Sequence, residues 1–143
     1  MILPTTMTMA AAATLLNLWL GYRVGQMRHA HRVSIGDGGV LPLIARMRAQ
    51  ANFVESTPFF LILLGLIELA TGSATWLWAV GALYMVVRLL HAFGMDRPPG
   101  NRLRTIGAVA TALLLVGLAA YALVVPYLER PRAGTPVGQI RHA

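Results

Sequence analysis

Four long apolar runs, at about 3–22, 49–70, 74–95 and 104–128, alternate with short polar stretches along the chain. Each run is close to the roughly 20 residues that a helix needs to cross a bilayer, so the pattern predicts four membrane spans. Between the first two lies HAHRVSIGDGGVLPLIAR, where Gly36, Asp37, Gly38, Gly39 and Pro42 predict a loop. Only TGSAT (71–75) joins the second run to the third, which forces a helical hairpin, and GMDRPPGNR (94–102) makes the next polar turn. Beyond Pro126, the stretch ERPRAGTPVGQIRHA has no periodicity and predicts a polar tail over 129–143. The expected fold class is all-α: a four-helix, up-down membrane bundle forming one domain over 1–128.

Composition sharpens this picture. The chain has 143 residues, of which 57% are hydrophobic and 12% charged, and its mean hydropathy is +0.63, far too apolar for an ordinary soluble domain. No basic residue precedes the first apolar run, so that run is read as a span and not as a cleavable signal peptide. Cysteine is absent, which excludes disulfides, thiolate metal sites and cysteine nucleophiles. No metal site is expected, and any thiol chemistry must be imported.

The net charge of +7 rests on 12 basic residues, all arginine. Arginine is the forked donor suited to carboxylates and phosphates, although the same bias also follows from a GC-rich genome. Arg23, Arg28, Arg32, Arg46 and Arg48 flank the first polar loop; Arg88, Arg97, Arg102 and Arg104 flank the third. Positive-inside reasoning therefore places both loops in the cytoplasm and both termini outside it. Trp19 with Tyr22, and Trp76 with Trp78 and Tyr127, are expected at opposite interfaces. Arg23, Arg97 and Arg102 are expected to snorkel to headgroups. The charge is assigned to the membrane and its ligands, with no nucleic-acid partner.

The segment RMRAQANFVESTPFF (46–60) carries polar groups into the second span. Arg48, Asn52 and Glu55 are spaced i, i+4, i+7, so they share a helix face that descends about 10 Å. Tyr84, Arg88 and His91 form a comparable stripe on the third span, and Arg104 opens the fourth beside Thr105. In an up-down bundle these stripes meet at one height. Several arginines call for a ligand with more than one acidic group, and Glu55 calls for an ammonium. Asn52 offers both a donor and an acceptor. Glutathione, with two carboxylates, one ammonium and a thiol, matches this set and supplies the missing sulfur. The competing structural reading pairs Glu55 internally with Arg48 or Arg88. Glu68, at the far end of the same helix, is expected to be solvated, and Pro58 to kink the helix near Val54.

RMRAQANFVESTPFFLILLGLIE resembles the hallmark segment of the MAPEG superfamily, the membrane-associated proteins in eicosanoid and glutathione metabolism. It is similar to the R-A-[HQ]-x-N-x-x-E-x-x-P-F pattern of the leukotriene C4 synthase and microsomal glutathione transferase branches, and IGDGG resembles a loop of bacterial members. The resemblance implies a homotrimer that holds glutathione, as co-substrate, between subunits near the cytoplasmic side. It assigns glutathione contacts to Arg48, Asn52, Glu55 and His91, with Arg28 or Arg32 gripping a carboxylate from the loop, and Arg88 of the neighbouring stripe is expected to join them; the likeness to bacterial members also implies a bacterial inner membrane. It assigns to Arg104 the catalytic task of stabilising the thiolate.

The implied activity is transfer of glutathione to a hydrophobic electrophile, or reduction of a lipid hydroperoxide. Holding a thiol as its anion two pH units below its ordinary pKa needs about 2.7 kcal/mol of differential stabilisation, which a close guanidinium in a poorly hydrated site can supply. Met95 and Ala108 stand where some catalytic members have tyrosines, and Ala51 replaces a basic contact. The alternative is therefore a non-catalytic MAPEG-type protein that binds lipid or a partner. Nothing in the chain shows the internal repeat or paired broken spans of a small transporter.

Overall fold

Long stretches of Leu, Ala, Val and Met without interior glycine clusters favour helix, and in hydrocarbon the helix is also the only way for a single segment to satisfy its own backbone. The computed structural model describes residues 2–98 and 101–128. They form α1 (Pro4–His31), α2 (Leu41–Thr71), α3 (Thr75–Met95) and α4 (Arg102–Leu128), and the expected tail lies outside the described residues. Three of the four, α2, α3 and α4, are both long and apolar enough to cross a membrane. The first helix has the length but not the apolarity, because Thr5, Thr6, Thr8, Thr14 and Asn17 dilute its first half and Arg23, Gln26, Arg28 and His29 fill its last third.

Two helices outrun the apolar runs that mark them. α1 continues past Tyr22 to His31 and ends at Arg32 in a left-handed conformation, and α2 begins at Leu41 with Pro42 in its first turn. Pro42, read as a loop marker, instead starts a helix, where its missing N–H costs nothing. The loop itself keeps its expected turn chemistry: Gly36, Gly38 and Gly39 all have positive φ, and Asp37 Oδ1 accepts the Gly39 N–H at 2.9 Å. α2 runs through Pro58 as one helix.

The helices pack in sequence as an up-down bundle with α2 and α3 at its centre; α1 covers one side of that pair and α4 the other. Phe60, Leu64, Ile67, Leu77 and Tyr84 form the buried core, with Phe60 and Tyr84 stacked face to face at 3.7 Å. The Tyr84 hydroxyl shares hydrogen bonds with Ser56 and Thr57, so the one polar atom of this ring pair is satisfied inside the bundle.

Glu68 overturns the expectation of a solvated end. It is only 2% exposed and receives the N–H of Thr5 at 2.9 Å, the N–H of Thr6 at 2.8 Å and the Thr6 hydroxyl at 2.7 Å. α1 has no side-chain cap of its own. The carboxylate of α2 thus satisfies the open amides of another helix, where negative charge also meets the positive end of the helix dipole.

Candidate functional site

At the opposite, arginine-rich end, two glycines bring α3 and α4 together. A Cβ on Gly94 would lie 2.4 Å from the Arg104 backbone nitrogen, and one on Gly107 would lie 2.6 Å from the His91 Cβ. Only hydrogen fits at either place. This close approach lets the His91 Nδ1 reach the Arg104 carbonyl at 3.2 Å. A carbonyl only accepts, so Nδ1 carries the proton and the lone pair of Nε2 is left over.

Across from them, the first turns of α2 present the face read from the sequence. Arg48, Asn52, Glu55, His91 and Arg104 line one cavity of about 420 Å³, a volume within the range of small-molecule sites. Its remaining wall includes Ala51, Met95 and Ala108, so no tyrosine hydroxyl enters from these positions. Glu55 is exposed and forms no ion pair among the described residues, which sets aside the internal bridge to Arg48 or Arg88. Its carboxylate is available to a ligand.

Arg88 occupies a different place from the one expected. It is 2% exposed and lies behind the cavity wall, where its Nη1 donates to Asn52 Oδ1 at 2.8 Å and to Thr111 Oγ1 at 3.4 Å. Its guanidinium also sits 5.5 Å from the Phe53 ring centre, and its Nε has no hydrogen-bond partner among the described residues. Arg88 therefore acts on the cavity through Asn52: it takes up the amide oxygen and leaves Nδ2 as the group with free donors. Thr111 in turn donates to the Gly107 carbonyl at 2.7 Å.

Arg28 and Arg32 are not brought to this cavity. They line a separate depression at the end of α1 with Val33 and Ser34, and Arg28 Nη1 donates to the Ser34 carbonyl at 3.3 Å. Arg23 does not snorkel either. It is 6% exposed, packs 4.5 Å over the Trp19 ring and pairs with Asp96, which also receives Arg46 Nε at 3.3 Å. Trp19 meets Phe93 edge-on in the same cluster, so it serves packing between α1 and α3.

Three contributors were missed from sequence: Asp96, Arg46 as its partner, and Thr111. Thr111 left a signal, since Arg104, Ala108 and Thr111 repeat the i, i+4, i+7 spacing of Arg48, Asn52 and Glu55. Asp96 left little, because an acid in a Pro- and Gly-rich turn reads as turn chemistry.

The family model of the MAPEG family matches residues 6–124, which reaches into all four helices and includes every residue of the cavity. The chain belongs to the MAPEG family. It is an integral membrane protein of all-α fold, from a family known for glutathione-related and eicosanoid metabolism. None of the curated proteins compared with the chain matches it. Within this MAPEG protein the cavity joins three donor groups, Arg48, Arg104 and Asn52 Nδ2, to Glu55, an acid with no ion pair among the described residues.

Proposed function

We propose that the protein is a glutathione-dependent membrane transferase or peroxidase acting on hydrophobic electrophiles or lipid hydroperoxides. The observation that carries this reading is the convergence of Arg48, Asn52, Glu55, His91 and Arg104, from three helices, on one cavity in a chain of the MAPEG family. Glutathione would supply the sulfur nucleophile that a chain without cysteine lacks. Arg48 and Asn52 bind and orient its carboxylates, and Glu55 receives its ammonium. Arg104, a permanent cation lining the cavity, favours the anionic form of a nearby thiol. His91, held by the Arg104 carbonyl, presents Nε2 as an acceptor for a peptide N–H. The apolar acceptor enters from the lipid between helices, and the arginine-rich ends face the cytoplasm.

Calorimetry of glutathione binding to the wild type and to Glu55→Gln tests the binding half. A loss of about tenfold in affinity is expected, since a charge-assisted bond becomes a neutral one. Equal affinities would remove Glu55 from the site. Turnover of a model electrophile tests the other half: Arg104→Ala is expected to lose about two orders of magnitude in rate. No turnover in the wild type, with saturable glutathione binding, would favour the non-catalytic alternative, which the Met95 and Ala108 positions support. The proposed assembly is a homotrimer with the site at subunit contacts. Crosslinking in mild detergent should give a ladder that stops at three.

A further inference from the structure

We propose that a second cavity, beside the candidate site, binds the headgroup of an anionic membrane phospholipid. It measures about 610 Å³, larger than its neighbour, and lies between the first turns of α2 and the α3–α4 turn. Arg46, Arg48, Arg97 and Arg104 line it, together with Asp96. The acid does not cancel this charge toward a ligand, because Arg23 holds one carboxylate oxygen and Arg46 the other. Arg48, Arg97 and Arg104 have no carboxylate partner among the described residues. Arg97 belongs to this cavity alone, while Arg48 and Arg104 border the candidate glutathione site as well; with the local acid already neutralised, the three guanidinium groups form a receptor for a phosphate.

The rest of the lining selects the source of that phosphate. Leu41, Ile44 and Pro98 make an apolar side to the cavity, and Leu41 is 77% exposed. A free inorganic anion would satisfy the arginines and leave this side wet. A phospholipid covers both, its phosphate against the guanidinium groups and its glycerol and first methylenes against the apolar wall. The position agrees, since the cavity sits at the ends of apolar helices, and basic pockets between helix ends take acidic lipids. Arg97 lines this cavity and not the candidate glutathione site, so the two can be separated by mutation.

The test uses the full-length protein in a neutral detergent. Native mass spectrometry counts bound lipid during titration with phosphatidylglycerol or with phosphatidylcholine of the same acyl chains. Phosphatidylglycerol should bind about fivefold more tightly, and Arg97→Gln should remove most of that preference while Arg97→Lys keeps part of it. Glutathione affinity, read by calorimetry on the protein in detergent without added lipid, should be unchanged in both variants, because Arg97 does not line that site. Equal binding of the two lipids would overturn the proposal, as would an Arg97→Gln variant that retains the full preference. Displacement of phosphatidylglycerol by millimolar inorganic phosphate would also overturn it, by assigning the site to a soluble anion.

Discussion

A guanidinium enclosed among helices with no carboxylate beside it is costly unless other groups share its charge. Arg88 distributes that charge over Asn52, Thr111 and the Phe53 ring, and in doing so fixes which end of the Asn52 amide is free. Asn52→Ala and Arg88→Gln should each weaken glutathione binding by about five- to tenfold, and the double variant should be little worse than either, because contacting residues couple. Calorimetry on the four proteins of this cycle checks it; full additivity would mean that Arg88 reaches the ligand by another route. The cavity face was legible because its spacing is local, three residues within two turns of one helix. Asp96 was not, because its partners Arg23 and Arg46 lie 73 and 50 residues away, and no local pattern records such a pairing.

At the scale of elements, helix existence followed from the apolar runs, but helix ends did not. α1 and α2 extend into polar sequence because a helix leaving the bilayer still satisfies its own backbone and finds partners in neighbouring helix ends. The contact of α3 with α4 depends on absent side chains at Gly94 and Gly107. In the sequence Gly94 reads only as the start of the GMDRPPGNR turn. A methyl at Gly107 must push His91 and Arg104 apart, so Gly107→Ala should lower stability by about 1–3 kcal/mol despite its better helix propensity. Thermal unfolding in detergent reads that loss. An unchanged or raised midpoint would show that the helices separate freely and that the site has no rigid frame.

Among the described residues, the molecule is charged at one end and nearly neutral at the other. Arginines cluster where α1 ends, α2 begins, α3 ends and α4 begins, and the α2–α3 turn carries no charge between Glu68 and Arg88. That asymmetry predicts orientation, and the lack of cysteine makes it easy to read. With an impermeant maleimide on intact cells, Ser73→Cys should be labelled and Ser34→Cys should react only after permeabilisation; the reverse pattern would invert the protein. The opposite end bears on assembly. The open amides at Thr5 and Thr6 find their acceptor in Glu68, 63 residues after Thr5, so during synthesis the first turn of α1 waits for the last turns of α2. Since α1 is also the least apolar of the four helices, delivery of α1 and α2 to the bilayer as a ready-paired unit avoids stranding bare peptide groups in lipid during biogenesis.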